Sequence, residues 1–198
     1  MDIDIASRIA QDIARLPPGV QRHIEAVQQQ SLALARRWRL DETAAALAAQ
    51  AHDICRALPG PVLITQARTF GIPVTPIEEA FPVFLHGPVG AETVRRRYAI
   101  RDPAILDPIR YHTMGHAAMS PPEQVLFLAD KLDPQKRARY PYFDEVLRLA
   151  HQDLDAAMLC FLTRQMQAFL AFSSLIHPGM LAAYDDLLLQ RGGSLSGA

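Results

Sequence analysis

Four histidines and two aspartates, His23, His52, Asp53, His86, His112 and Asp130, are the side chains of this sequence best equipped to do chemistry. His52-Asp53 closes an alanine-rich stretch, Ala44 to Ala51, so an imidazole and a carboxylate stand together in small, apolar surroundings. A carboxylate left unpaired there costs on the order of several kcal/mol and therefore needs a cation or hydrogen-bond donors. Asp130 lies in Val125-Leu126-Phe127-Leu128-Ala129-Asp130-Lys131-Leu132, again a carboxylate on an otherwise apolar helical run. His23 shares a stripe with Val20, Ile24, Val27, Ser31, Leu34 and Trp38, His86 opens a helix at Leu85-His86-Gly87-Pro88, and His112 closes one at Tyr111-His112-Thr113. One His-Asp pair alone reads as a structural ion pair. The ordered set His, His-Asp, His, His, Asp, spread over five segments, reads as a metal site.

Imidazoles and carboxylates without thiolate suit iron, manganese, zinc or nickel better than magnesium, which prefers oxygen and water. Six ligands exceed what one catalytic ion needs while keeping a position open, and the two oxygens of Asp53 are able to bridge a pair. Two neighbouring ions polarise a phosphoryl group and lower the pKa of a shared water towards neutrality. The chemistry this implies is hydrolysis of a phosphoester or phosphoanhydride by a metal-activated hydroxide at a binuclear site, with no protein nucleophile.

The elements that must position these residues read as helices. Ile5, Ile9, Ile13 and Leu16 recur at helical spacing until Pro17-Pro18-Gly19, and the His23 stripe forms a second helix. A third starts at Asp41, a good N-cap, and is expected to run to Arg56 before Leu58-Pro59-Gly60. Thr75-Pro76-Ile77-Glu78 and Ser120-Pro121-Pro122-Glu123 each combine a hydroxyl N-cap, proline in the first turn and a glutamate able to close a capping box. Asp102-Pro103 marks another start. Tyr142 to about Leu175 is helical with a break near His151 to Asp153, and a last helix follows His177-Pro178-Gly179 to about Gln190. Leu58 to Phe70 is ambiguous, but no alternating strand pattern or glycine-rich phosphate loop accompanies it. The expected fold is all-α: an N-terminal helix over 1–17 packed on one helical bundle over 18–190, and a disordered tail over 191–198.

At 198 residues, 49% apolar and 21% charged, the chain has enough hydrophobic material for one domain. Its net charge of -1 gives no basic field for nucleic acid and no acidic excess for disorder. Cys55 and Cys160 make neither a disulfide framework nor a thiolate site and read as buried thiols. Asp2 and Asp4 stand where a signal peptide carries positive charge, and apolar runs such as Val125 to Ala129 are too short to span a bilayer. A cytoplasmic protein with no membrane partner is expected, and the long C-terminal helices leave room for a homodimer. Arg95-Arg96-Arg97 reads as a solvated face, His151 as a surface residue, His177 as a cap, and Phe161, Phe169 and Phe172 as core packing.

The stretches Arg22-His23, Ala51-His52-Asp53, Leu85-His86-Gly87-Pro88-Val89-Gly90, Ile109-Arg110-Tyr111-His112-Thr113, Met119-Ser120, Phe127-Leu128-Ala129-Asp130 and Leu175-Ile176-His177-Pro178 together resemble the HD superfamily of metal-dependent phosphohydrolases. Within it they are similar to the YqeK family, bacterial symmetrical dinucleoside tetraphosphate hydrolases, over roughly residues 20 to 185. The resemblance implies a single HD-domain bundle, two iron(II) ions or another divalent metal such as manganese, and a nucleotide substrate. The substrate would be diadenosine tetraphosphate or a relative, cut to two nucleoside diphosphates. It also implies that His23, His52, Asp53 and Asp130 hold one ion and that Asp53, His86 and His112 hold the other. Related HD enzymes acting on nucleoside mono- or triphosphates, or on phosphodiesters, use the same set. A regulatory module that binds nucleotide without turnover is the non-enzymatic alternative, disfavoured by the intact ligand set.

Several positions depart from the family's pattern. Arg56 replaces a lysine, His116 an arginine, and Asp133-Pro134-Gln135-Lys136 a Glu-Pro-x-Arg segment, while Ile24 and Ala26 replace threonine and glycine. A polyphosphate needs cations beyond the metals. Arg56, placed with Asp53 as catalytic, is the leading one for its planar fork. His116, Lys131 and Lys136 are the further phosphate-binding expectations, with Arg110 and Arg137 as weaker ones.

Overall fold

Caps and prolines decide where the helices of this chain begin. The structure is a computed structural model and describes residues 3–172 and 174–192. It contains α1 (Ile3–Ile13), α2 (Pro18–Arg37), α3 (Glu42–Ala51), α4 (Gly60–Thr69), α5 (Pro76–Ala80), α6 (His86–Tyr98), α7 (Pro103–Tyr111), α8 (Pro121–Lys131), α9 (Phe143–Ala150), α10 (Leu154–Ala171) and α11 (Pro178–Gln190). Short 3-10 turns lie at Pro82–Leu85 and Pro134–Lys136, and no strand occurs among the described residues. Asp41, Asp102 and Asp153 cap α3, α7 and α10 by accepting from backbone N–H groups, and Thr75-Glu78 and Ser120-Glu123 form capping boxes on α5 and α8. The all-α expectation therefore holds, and the ambiguous Leu58 to Phe70 stretch forms α4.

Helix α8 is the central element. Its Val125, Leu126, Phe127 and Leu128 are all essentially inaccessible to solvent, each stabilising the fold by about 1.5–3 kcal/mol relative to exposure. On one side it meets α2, α3 and α7 through a core that includes Ile24, Val27, Leu47, Ala48, Ile109 and Leu126. On the other it meets α10, which in turn packs on α11, and Phe127, Leu128, Met158, Phe161, Leu162 and Leu187 are buried together there. A smaller core of Leu63, Ala67, Leu85 and Val89 seats α4 against α6. Ile9 and Ile13 of α1 belong to the first core, so this helix packs on α3 and α6.

The chain differs from expectation in places. Helix α3 stops at Ala51, not Arg56, because the next bonds are of the tighter i→i+3 kind: Ile54 N–H to Ala51, Arg56 N–H to Asp53 and Leu58 N–H to Cys55. That tightening sets His52 and Asp53 at a turn, where both side chains face the interior. Phe161 is core as expected, but Phe172 is 83% exposed beyond the end of α10, and Cys160 is only half-buried. Arg191, placed at sequence level in a tail, caps α11 and pairs with both oxygens of Asp153; residues 193–198 of that tail lie outside the described residues. Arg95 and Arg96 pair with Glu92 and Arg97 with Asp12, an ion-paired outer face. Among the described residues, no helix is long and apolar enough to cross a membrane.

Candidate metal centre

The six sequence-predicted ligands come from α2, the end of α3, the start of α6, the end of α7 and the end of α8, and they converge. His52, Asp53, His86, His112 and Asp130 are buried, and the His23 side chain is 13% exposed. Each imidazole is oriented by a bond on its outer nitrogen. His52 Nδ1 donates to the Ala49 carbonyl at 2.7 Å, His112 Nδ1 to the Ile109 carbonyl at 2.8 Å, and His86 Nδ1 to the Val83 carbonyl, all three residues back along the chain. His23 Nδ1 donates to Asp133 Oδ2 at 2.6 Å. With Nδ1 protonated in each ring, the four Nε2 lone pairs are turned inward, the arrangement that outer partners of metal-binding histidines produce.

Asp53 sits among them with its oxygens divided. Oδ1 lies 3.1 Å from His86 Nε2 and 3.6 Å from His112 Nε2, while Oδ2 lies 3.7 Å from both His23 Nε2 and His52 Nε2. Asp130 Oδ1 adds itself to the second set, 2.9 Å from His23 Nε2. Donor atoms of His23, His52 and Asp130 fall within 4.8 Å of one another, as do those of His52, Asp53 and His112.

This donor set fits a metal on its own chemistry. His86 Nε2 and His112 Nε2, both lone-pair nitrogens, face each other at 3.0 Å. His52 Nε2 is buried with no hydrogen-bond partner among the described residues. Acceptors crowded against acceptors and carboxylates repel unless a cation lies among them, and an unmatched buried acceptor costs about 1–3 kcal/mol.

Electrostatics keep His52, His112, Asp53 and Asp130 in their binding forms. Burial pushes the His52 imidazole down to about 4 and the His112 imidazole below its usual value, so both rings are neutral at pH 7. Burial pushes the Asp53 carboxyl up, but the surrounding imidazoles of His52, His112 and His86 outweigh it and hold the group well below the carboxylate range. Asp130 likewise stays ionised against its burial, through Lys131, Lys136 and His23. For His23, burial lowers the pKa, but the Asp130 and Asp133 carboxylates together outweigh it and leave the ring raised.

The centre opens into a cavity of about 700 Å³. Lys131 and Lys136 line it but are committed to Asp130: Lys131 Nζ donates to Oδ2 at 2.5 Å and to the His112 carbonyl at 3.0 Å, and Lys136 Nζ donates to Oδ1 at 2.6 Å. Burial lowers the Lys131 ammonium. Arg56 is exposed on the cavity wall and has no ion pair among the described residues. His116 is not on that wall. It lines a smaller cavity of about 260 Å³, with Nε2 2.6 Å from Glu123 Oε1 and its ring 3.9 Å from that of Tyr111. Arg110 pairs with Asp107 and lines the smaller cavity, and Arg137 pairs with Asp144 over the Phe143 ring, so neither lies on the cavity at the centre.

Sequence reasoning missed three contributors. Thr113 Oγ1 lies 3.3 Å from His86 Nε2 and 3.2 Å from His112 Nε2; its place directly after His112 was the available signal. Asp133, only 2% exposed, orients His23. Arg139 is a further cavity cation, and nothing in its neighbours marks it.

The HD domain family matches residues 20–135. The symmetrical bis(5'-nucleosyl)-tetraphosphatase of Bacillus subtilis is 30% identical over 84% of this chain and 88% of its own length. The protein of the same description from Halalkalibacterium halodurans is 31% identical over 86% of this chain and 89% of its own. A crystal structure from Clostridium acetobutylicum, described as a predicted HD superfamily hydrolase involved in NAD metabolism, superposes with a TM-score of 0.88 at 23% identity, covering 93% of this chain and 97% of that one. Its likeness bears on the fold, and the agreement spans the whole helical arrangement. With the ligand-bearing segments of this site inside the matched residues or adjoining them, the chain belongs to the HD domain family of metal-dependent phosphohydrolases.

Proposed function

We propose that this protein hydrolyses dinucleoside tetraphosphates symmetrically, cutting diadenosine tetraphosphate into two ADP at a two-metal centre. The observation that carries the reading is the division of Asp53: one carboxylate presents one oxygen to His86 and His112 and the other to His23 and His52. His23, His52, Asp53 and Asp130 would hold one divalent ion and Asp53, His86 and His112 the other; the nitrogen-rich set suits iron(II), with manganese the alternative. Bound ions would supply Lewis acidity at the phosphoryl oxygens and a water of lowered pKa.

The chain's own residues do the rest. Lys131 and Lys136 neutralise Asp130 and hold its carboxylate still. Arg56 and Arg139, both exposed on the cavity, meet the charge of the polyphosphate, Arg56 with a fork suited to two phosphate oxygens. Hydrolysis adds one water across the central P–O–P bridge: the water oxygen bonds to one phosphorus and the bridging oxygen departs with the other half. The released protons pass to the products and solvent. The names of the relatives from Bacillus subtilis and Halalkalibacterium halodurans support this substrate.

Incubating iron-loaded protein with diadenosine tetraphosphate and separating the products tests the reading. ADP alone is expected. ATP with AMP would mean the other cleavage, and turnover of nucleoside mono- or triphosphates without the tetraphosphate would overturn it. A homodimer through the C-terminal helices is supported by Leu170, Phe172, Leu175 and Leu189, exposed along and between the last two helices. Light scattering tests it against the chain mass of 22.0 kDa.

A further inference from the structure

The cavity at the metal centre has a second, chemically different set of lining residues. Besides the histidines it is lined by Tyr140, Phe161, Phe169 and Met180, which belong to one apolar cluster, and by Gln165 of the same helix as Phe161 and Phe169. Phe161 is 2% exposed and fixed in the core, its ring 5.4 Å from that of Tyr140 and edge-on at 81°, which holds Tyr140 in turn. Phe169 is only part-buried and shows apolar surface to the cavity although it stands on a helix whose other aromatic, Phe161, is core. The Gln165 carbonyl accepts from the Tyr142 hydroxyl at 3.3 Å, which fixes the amide and leaves its NH2 as a donor pair for a ligand. Aromatic faces around one anchored polar group are what a flat heterocycle with an acceptor edge requires, while phosphate has no use for them.

We infer that the Tyr140, Gln165 and Phe169 lining of the cavity is the seat of one nucleobase of the substrate, with Phe169 and Tyr140 as apolar faces and Gln165 as the residue that reads the base edge. The inference rests on the nucleotide reading of the centre and adds to it the residues that set base preference. The cations Arg139 and Arg56 line the same cavity, so phosphates attached to a seated nucleoside have positive charge along it.

Calorimetric titration of metal-loaded protein with ADP, GDP and inorganic pyrophosphate separates the base from the phosphates. Phe169→Leu keeps an apolar side chain on α10 and removes the ring. It is expected to weaken ADP about tenfold, the loss of one stacking face, and to change pyrophosphate less than about twofold. Gln165→Leu is expected to alter the ratio of ADP to GDP affinity by about tenfold at unchanged pyrophosphate affinity. Unchanged ADP binding in Phe169→Leu, or parallel losses of ADP and pyrophosphate in both variants, would overturn the seat. Because the titration needs no turnover, a protein that binds ADP through these residues yet leaves diadenosine tetraphosphate intact would keep the seat and discard the substrate.

Discussion

Asp53 concentrates the chemistry of the centre because its surroundings leave it no other use. It is 4% exposed and its oxygens face four imidazole nitrogens, all bearing lone pairs inward. Asp53→Asn keeps the shape and removes the bridging charge. The expected outcome is loss of bound metal by elemental analysis and a fall in turnover of at least about 10³-fold, with the helical circular dichroism unchanged. Asp133 acts one step out, through His23 Nδ1, so Asp133→Asn should cost about 10–100-fold in metal affinity, read by competition with a chelator. The six ligands were legible in the sequence because a polar residue stands out against apolar helical neighbours such as Val125 to Ala129. Arg139 and Phe169 were not, because whether a cation or a ring faces the cavity depends on how distant elements fold over it. His116 shows the same limit: its ring nitrogen meets Glu123, a neighbour that α8 brings to it through a capping box.

At the scale of elements, close approach of α6 to α7 brings His86 and His112 together. A Cβ at Gly87 would meet the Arg110 carbonyl at 2.9 Å and the Ile109 carbonyl at 3.1 Å, so only glycine lets the two helices touch there. Gly87→Ala should lower stability by about 1–3 kcal/mol in denaturant unfolding and move the two histidines apart, reducing metal affinity as well. A second junction ties α5 to the start of α11, where His177 caps the helix and its Nε2 lies 2.9 Å from Glu78 Oε1. Burial raises the Glu78 carboxyl, but bonds from Thr75 and His177 outweigh it and lower the group below its ordinary 4.5. Its contribution is therefore present at neutral pH and is lost as the pH falls through the lowered value. Glu78→Gln should be less stable than the parent by about 1 kcal/mol at pH 7, and the two unfolding curves should converge in acid. Helix starts were legible because caps and prolines are local signals. The stop of α3 at Ala51 was not, since Asp53 leaves the helical path for the sake of contacts with α6 and α7 that no local pattern encodes.

For the molecule as a whole, the centre sits where α2, α3, α6, α7 and α8 meet, so metal binding and folding draw on the same helices. Ions that bind the folded chain stabilise it by mass action, about 2.7 kcal/mol at a hundredfold excess over Kd. Chelation should thus lower the melting temperature, and restored iron(II) or manganese should return it. The all-α architecture was legible from periodicity and caps, and the ordered ligand set pointed to the family. The apolar lining of the cavity, built from α10 and the 132–142 segment, emerged only when the chain was folded. The most direct test of the account is to titrate iron(II) anaerobically into metal-stripped protein while following ADP release from diadenosine tetraphosphate. Activity absent at the start and reaching its plateau at two equivalents per chain is the predicted result; full activity in the stripped protein, or a plateau at one equivalent, would contradict it.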